Sequence, residues 1–280
     1  MIAVLGGLVA AFLWGTSTVV ASRSTRMLGS QQALAYVMLI GLAATGIAAI
    51  VLEGLPPATG TGWAWAITAG AASALGLSTM YRALRIGKVG VVAPIASTEG
   101  AFAALLSVAV LDESLTVQIT MALAVVVVGV MVVTVRGSVA DVHLRPTLFA
   151  IAAAGLFGVG LVASSQAGSE LGAFWTILVA RILGIVLIAL PLLASRRLRP
   201  PGKALPLVTY SALAESGGFA AFIAGAQHGV AVSAVLASQF AAVAVFGSYV
   251  AFGERLGRQQ LAGAVVIAAG VAAVAALRAS

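Results

Sequence analysis

Long apolar runs alternate with short polar gaps along the whole chain. A transmembrane helix needs about 20 apolar residues to cross a hydrocarbon core of roughly 30 Å, and the sequence contains ten runs of that kind, bounded by charged residues, prolines or glycines. We place these runs near residues 2–21, 32–52, 62–84, 89–111, 116–135, 147–166, 173–193, 205–226, 231–252 and 258–277. The pattern predicts an all-α integral membrane protein with ten transmembrane helices.

Composition agrees with the hydropathy pattern. The chain is 61% hydrophobic and 8% charged, with a mean hydropathy of +1.13, which exceeds what the core of a soluble domain requires. Its net charge of +7 does not indicate nucleic-acid binding, because the basic residues lie in the gaps between apolar runs and form no basic helix with interleaved aromatic residues. With no cysteine and two histidines, we expect neither disulfides nor a metal site.

The two halves of the chain are related in sequence. A shift of 141 positions aligns Tyr81 with Phe222, and a shift of 143 positions aligns Trp14 with Phe157. We therefore predict two five-helix repeats, joined around residues 136–146. Because five is an odd number, the second repeat must cross the membrane in the opposite direction to the first. The predicted repeats comprise residues 1–138 and 139–280.

The loop charges support this inversion independently. Thirteen of the fifteen Lys and Arg residues lie at loops on one face, here called the basic face; the opposite face has only Arg278, and Arg181 lies within the seventh run. Equivalent loops also change sign, because 22–26 is basic and 164–170 is acidic. The positive-inside rule then predicts a multi-pass protein of the cytoplasmic membrane, with the basic face in the cytoplasm and both termini outside.

Two longer segments carry a family resemblance. The segment YRALRIGKVGVVAPIASTEGAFAALLSVAVLDESLT (81–116) and the segment FIAGAQHGVAVSAVLASQFAAVAVFGSYVAFGERLG (222–257) each precede an apolar helix that contains glycine. Both resemble the second half of an EamA repeat of the drug/metabolite transporter superfamily, and FLWG near the start resembles the opening helix of that family. The resemblance covers essentially the whole chain and implies a ten-helix secondary transporter that exports small metabolites.

The chain departs from the family pattern at three points. The second repeat has Val235 where the first has Pro94, and the first repeat has Met38 where the second has Arg181. Relatives usually have the N-terminus in the cytoplasm, whereas the charge count places both termini outside. We follow the charges, because an asymmetry of thirteen basic residues against one rarely arises by accident.

The resemblance further implies alternating access, with efflux of amino acids or drug-like compounds across the inner membrane. The expected partners are the lipid bilayer, a small-molecule substrate and protons. The sequence has no GxxxxGK[ST] motif, so we expect neither a nucleotide nor another cofactor. An uncoupled uniporter or exchanger of the same fold is the alternative, followed by a channel. An enzyme is disfavoured, because GxSxG and HExxH are both absent.

Three ionisable residues are predicted near the membrane midplane. Glu99 and Glu215 lie roughly 15 Å from the basic face, and Arg181 about 18 Å, at 1.5 Å per helical residue. Charges at that depth need a partner or a water-filled cavity. An ion pair between Arg181 and Glu215 is expected, and its alternative role is purely structural. Glu99 has no evident partner, so it is the candidate for binding a proton or a cationic substrate group; a cavity wall residue is the alternative.

Pro94 is expected to kink the fourth predicted helix, because proline removes a helical hydrogen bond. The kink would expose backbone groups to an internal cavity, with Ser97 and Thr98 satisfying those that are freed. A simple packing kink is the alternative interpretation. Trp14 and Tyr81 are candidates for an aromatic binding surface, and their alternative role is apolar packing between helices.

Glu113 and Glu254 occupy equivalent positions in the two repeats, because the shift that aligns Tyr81 with Phe222 also aligns these two acids. Each precedes the final predicted helix of its repeat. A carboxylate at that place is favoured by the positive end of the helix dipole. We therefore interpret both as structural acids at helix starts.

Overall fold

The computed structural model describes residues 1–55, 60–103, 106, 117–134, 144–228, 233, 236–254 and 257–279. Nearly all of these residues are helical, and no strand occurs among them, so the all-α prediction is confirmed for this part of the chain. The main helices are α1 Ile2–Leu28, α2 Ser30–Ala48, α3 Gly60–Ile86, α4 Val89–Ala96, α5 Val117–Thr134, α6 Leu144–Leu171, α7 Ala173–Gly184, α8 Leu205–Ala226, α9 Phe240–Phe252 and α10 Arg258–Ala279. Helix α2 continues as a π-helix over Ala49–Glu53, α7 continues as a π-helix over Ile185–Ala189 and an α-helical segment over Leu190–Ala194, and a 3₁₀ turn at Gly202–Ala204 precedes α8.

Five helical segments in the described ranges are long and apolar enough to cross a membrane. They are Ile2–Leu28, Ser30–Glu53, Leu144–Leu171, Ala173–Ala194 and Gly202–Gly225. Large apolar side chains such as Val51 and Phe246 point outwards and are 72% and 70% exposed, as lipid-facing residues are. These helices support a multi-pass membrane protein.

Two glycines set the sharp turns between consecutive helices. Gly29 separates α1 from α2 with φ 89°, and Gly172 separates α6 from α7 with φ 91°. Residues with a side chain rarely adopt this conformation, because their Cβ atom would clash with the backbone. The sequence shift that aligns the first helices of the predicted repeats also aligns these two glycines. The same local turn therefore occurs at equivalent points of both halves.

Two helices are interrupted at equivalent positions. The segment that begins with α4 turns at 97–98 and becomes helical again at 99–103, and a turn at 238–239 precedes α9. In the first turn, the hydroxyl of Ser97 donates to the carbonyl of Pro94 (2.8 Å) and that of Thr98 to the carbonyl of Ile95 (2.7 Å). These bonds satisfy backbone groups near the proline, as expected. The second repeat has Val235 where the first has Pro94, and position 235 lies outside the described residues.

Helices of one half pack in pairs against helices of the other half. Helix α1 lies against α8, α6 lies against α3, and α5 lies against α10. The first pair is antiparallel, because Gly6 approaches Gly225 whereas Ser17 contacts Glu215. In the second pair the hydroxyl of Thr61 donates to the carboxylate of Glu170, which joins the start of α3 to the end of α6.

Glycines permit the closest approaches between these halves. A Cβ atom added at Gly15 of α1 would lie 2.7 Å from the carbonyl oxygen of Phe240, and one added at Gly158 of α6 would lie 3.0 Å from that of Glu99. The four residues form two equivalent pairs under the two sequence shifts that relate the repeats. Each half therefore holds the interrupted helix of the other half by the same backbone contact.

We expect Gly15→Ala to lower the thermal stability of the protein. Its new methyl group would lie 2.5 Å from Cβ of Val243, and such overpacking costs about 1–3 kcal/mol. Gly60→Ala is the matched control, because nothing lies within 4 Å of the added atom. The measurement is the melting temperature of each purified variant in detergent. Equal melting temperatures for the two variants would contradict the close contact between α1 and α9.

Candidate functional site

A central cavity of about 60 Å³ lies between the two halves of the chain. Four of the residues predicted from the sequence line it together: Trp14, Tyr81, Glu99 and Glu215. The remaining walls are mostly aromatic or aliphatic, with Phe157, Phe219 and Phe240 among them. A cavity of this size holds about four water molecules. Two carboxyl groups therefore share a small and mostly apolar space.

Glu215 is fixed in its position by α1. The hydroxyl of Ser17 donates to Oε1 of Glu215 (3.1 Å), and Nε1 of Trp14 donates to the backbone carbonyl of Glu215 (3.4 Å). The indole of Trp14 fits over Gly218, where a side chain would collide with it, and meets Phe219 edge-on at 4.9 Å between ring centroids. The sequence analysis missed Ser17, although it lies three residues after Trp14 and so on the same helical face.

Glu99 lies in the first helical turn after the interruption at 97–98. It is buried, and within the described part of the chain its carboxyl group receives no hydrogen bond. It lines the same cavity as Glu215. Two carboxylates in one poorly solvated cavity repel each other, and a proton or a cation between them offsets that repulsion.

Tyr81 is buried beside the two carboxyl groups, with 1% of its surface exposed. Neither its hydroxyl nor the buried hydroxyl of Ser211 has a hydrogen-bond partner of good geometry in the described ranges. The ring lines the cavity together with Leu77 and Met80. Tyr81 thus contributes an aromatic wall, and its polar tip adds to the polar groups around the cavity.

Arg181 differs from its expected arrangement. Its Nη2 donates to Oγ of Ser216 (3.2 Å) and its Nη1 to Sδ of Met38 (3.7 Å). Arg181 and Glu215 both lie in the described part of the chain, and they form no ion pair within 4 Å. The reason is helical geometry, because consecutive residues of α8 point in directions about 100° apart. Ser216 faces α7, whereas Glu215 faces Ser17 of α1.

Arg181 and Met38 occupy equivalent positions of the two halves, and they meet where α2 packs against α7. Each lies over a glycine of the opposite helix: Arg181 over Gly41, and Met38 over Gly184. The sequence shift that aligns Met38 with Arg181 also aligns these two glycines. The contact is symmetric in shape, but only one side carries a charge.

A second cavity of about 20 Å³, here called the arginine cavity, is lined by Arg181 and Met38. The hydroxyl-bearing residues Ser73, Ser164 and Thr176 also line it. It shares three lining residues with the central cavity: Ser73, Leu77 and Phe219. The two cavities are therefore neighbours.

Pro94 does not line the central cavity. Together with Glu254 it lines a separate cavity of about 580 Å³ between α4, α9 and α10. Pro94 thus lines this lateral cavity, whereas Glu99 and Glu215 line the central cavity. The cavity is mostly apolar and includes Phe246 and Val265, which are exposed on the outside of the helices.

Glu254 acts at the start of a different helix from the one expected. Helix α10 begins only at Arg258, and the carboxylate of Glu254 instead accepts the backbone N–H of Gly90 (3.4 Å) near the start of α4. It also forms an ion pair with Arg26 at 3.5 Å. Glu113, its equivalent, lies outside the described residues.

Arg26 joins three segments at the basic face, and the sequence analysis gave it no role. Its Nη2 donates to the carbonyl of Gly87 (3.2 Å), and its guanidinium lies 5.7 Å from the ring centroid of Phe252. Through the ion pair with Glu254 it connects the end of α1, the turn before α4 and the end of α9. We call this set of contacts the arginine latch.

Among the residues that the structure describes, no group of three His, Asp or Glu side chains is placed to hold a metal ion.

Comparison with known proteins agrees with this architecture. A solved crystal structure of a protein is 21% identical to this chain and superposes with a TM-score of 0.67, covering 99% of this chain and 97% of its own. At that identity the likeness shows the fold alone. No curated protein sequence matches. The model of the EamA-like transporter family matches residues 1–135 and 144–276, which is most of both halves. This chain therefore belongs to the EamA-like transporter family, within the drug/metabolite transporter superfamily.

Proposed function

We propose that the protein is a secondary exporter of small metabolites that works by alternating access, with the central cavity as its binding and coupling site. The observation that carries this proposal is that Glu99 and Glu215, from different halves of the chain, share one cavity with aromatic walls. Membership of the family gives the coarser function, a membrane transporter. The cavity supplies a place where a cationic group or a proton is favoured.

We further propose that the chain forms ten transmembrane helices in two inverted repeats, 1–138 and 139–280. The directions of the helices support this. Helices α3 and α8 are the third helices of the two proposed repeats, but α3 runs in the same direction as α1, with Ser22 beside Leu84, whereas α8 runs against α1. The equivalent turns at Gly29 and Gly172 also support it. Repeats of this kind alternate access by exchanging their two conformations around a site at their interface.

The proposed orientation has the basic face in the cytoplasm. We expect Ser169→Cys, on the opposite face, to react with a membrane-impermeant maleimide in intact cells. Ser195→Cys, on the basic face, should react only after the cells are permeabilised. Both serines are exposed, and the chain has no cysteine of its own. The reverse labelling pattern would contradict the orientation and leave the rest of the proposal unchanged.

The arginine latch is proposed to close the path between the central cavity and the basic face. Ala21 and Leu84 line the cavity, and the hydroxyl of Ser22 donates to the carbonyl of Leu84 (3.4 Å) one turn before Arg26. The latch then connects this end to Glu254 in the other half. Opening to the basic face would require these contacts to separate.

We expect Glu254→Gln to open this path more often, because it removes the charge of the ion pair while keeping the shape of the side chain. Ala21→Cys, buried in the cavity wall, reports the opening through its rate of reaction with a small maleimide. The rate should increase several-fold in Glu254→Gln. Arg23→Gln, which removes an exposed arginine one turn earlier, is the control and should leave the rate unchanged. Equal rates in both variants would show that the ion pair does not hold the path closed.

We expect Glu99→Gln to separate transport from its dependence on pH. The substitution preserves shape but removes the proton that the carboxyl group can bind and release. Purified protein in proteoliposomes loaded with a mixture of amino acids and organic amines should still exchange substrate, measured by mass spectrometry. Accumulation driven by an imposed pH gradient should be lost. A variant that still accumulates substrate in response to the gradient would leave Glu99 as a wall residue and favour coupling elsewhere.

A further inference from the structure

The lateral cavity between α4, α9 and α10 has the size of a ligand site and opens to the side of the molecule. Its volume of about 580 Å³ lies within the range of roughly 300–1,000 Å³ that small-molecule sites occupy. Phe246 and Tyr249 line it and are 70% and 53% exposed, as lipid-facing side chains are. It shares no described lining residue with the central cavity. The lateral cavity therefore opens to hydrocarbon and is separate from the proposed transport site.

One face of α10 forms a wall of this cavity and carries a charge at its outer end. The lining residues are spaced by three and four positions, as residues on one helical face are: Leu261, Ala264, Val265 and Ala268. The same spacing extends back to Arg258, the exposed first residue of α10. At 1.5 Å per residue, the distance from Arg258 to Ala268 along the helix is about 15 Å. That is half of a hydrocarbon core of roughly 30 Å, so this wall has the depth of one leaflet.

The inner end of the lateral cavity lies at the two helix interruptions. Ser97 of the first turn and Ser238 and Gln239 of the second line it. Their polar groups are engaged within the protein, because the hydroxyl of Ser97 donates to the carbonyl of Pro94 (2.8 Å) and Nε2 of Gln239 donates to Oγ of Ser238 (3.5 Å). The inner end therefore does not require a polar ligand, and an apolar chain can lie against it.

The outer end of the cavity is charged. Glu254 lines it and already forms the ion pair of the arginine latch with Arg26. The contacts of Arg26 with Gly87 and with Glu254 both use Nη2, and 45% of its side chain remains exposed. Arg258 follows Glu254 by four residues. Two exposed arginines beside one carboxylate leave an excess of positive charge, and guanidinium groups bind phosphate with particularly strong hydrogen bonds.

We propose that the lateral cavity binds one acyl chain of a phospholipid from the leaflet at the basic face, with the phosphate of that lipid at Arg258 and Arg26. The chain follows the lining face of α10 down to the turns at 97–98 and 238–239. A charged entrance above an apolar slot of one-leaflet depth matches an amphiphile and not a polar metabolite. The sequence shift that aligns Glu254 with Glu113 aligns Arg258 with Val117, so the first half lacks this charge. The inference goes beyond the proposed function and does not depend on it, because it concerns binding alone.

Native mass spectrometry of the delipidated protein in detergent tests the inference with three additives. They are palmitoyl-oleoyl phosphatidylglycerol, the diacylglycerol with the same chains, and glycerol phosphate. We expect the phospholipid to give one retained adduct per protein, and the diacylglycerol to bind about ten times more weakly, because it lacks the phosphate that the arginines hold. Glycerol phosphate, which has no chain, should give no adduct. Equal affinity for diacylglycerol and phospholipid, or for glycerol phosphate and phospholipid, would overturn the assignment.

Ala264→Phe tests the path of the acyl chain. Its ring would occupy the middle of the cavity wall, so we expect the affinity for the phospholipid to fall roughly ten-fold as methylene groups of the chain are displaced. Ala262→Phe is the matched control, because position 262 lies on the same helix, is exposed and does not line the cavity. The control should bind the phospholipid as the unaltered protein does. An equal decrease in both variants would show that the chain does not occupy the cavity.

Arg258→Gln tests the phosphate end of the site and keeps the inference decisive if Ala264→Phe fails to fold, because Arg258 is exposed. We expect the affinity for the phospholipid to fall about ten-fold, since a charged hydrogen bond is lost. The affinity for the diacylglycerol should stay unchanged. Arg197→Gln removes the same charge from another exposed position of the basic face and is the control. Unchanged phospholipid affinity in Arg258→Gln would show that only the general lipid annulus binds and would overturn the inference.

Discussion

The central cavity depends on how closely α1 approaches α8. Gly6 meets Gly225 at one end of this contact, and Gly218 leaves the space that the indole of Trp14 fills. Because the two backbones are so close, Ser17 reaches the carboxylate of Glu215 and Trp14 reaches its backbone carbonyl. Small residues allow this kind of approach in membranes, where apolar burial does not drive helices together. A wider separation would leave Glu215 without its donor.

The two halves provide equivalent positions but different chemistry. Glu99 aligns with Phe240, and both line the central cavity. Arg181 aligns with Met38, and the two are in contact. A symmetric scaffold suits a protein whose halves exchange conformations. In each of these two equivalent pairs only one member carries a charge, so the site between the halves is chemically asymmetric.

Hydropathy and repeat analysis predicted the elements of this fold that depend on local patterns. The apolar runs indicated the helices. The distances of Glu99 and Glu215 along those helices placed both carboxyl groups at the same depth in the membrane. The partner of Arg181 was not predictable in this way. Glu215 and Ser216 are consecutive residues of α8 and point in different directions, so that only Ser216 faces α7. Glu254 was assigned to the helix that follows it in sequence, whereas its carboxylate contacts the start of α4. Such contacts between distant segments depend on packing that no local pattern contains.

A parallel arrangement occurs on the opposite face. Glu53, to which the sequence analysis gave no role, accepts the backbone N–H groups of Phe174 and Trp175 at the start of α7, at 3.0 and 3.1 Å. On each face, a carboxylate at or just after the end of a helix in one half thus accepts a backbone N–H at a helix start in the other half. The charge–dipole attraction involved is modest and easily exchanged for water. Contacts of that strength are compatible with the alternating access proposed above.

The two carboxyl groups of the central cavity are held in different ways, and we propose that this difference gives them different parts in transport. Glu215 lies within the continuous helix α8 and accepts a hydrogen bond from α1, so its position and its charge are both stabilised. Glu99 follows a turn in an interrupted helix and has no donor in the described part of the chain. A small change of angle at 97–98 moves its carboxyl group while α8 stays in place. We therefore propose that Glu99 is the residue that exchanges its proton, and that Glu215 is the fixed carboxylate beside which a cationic group binds.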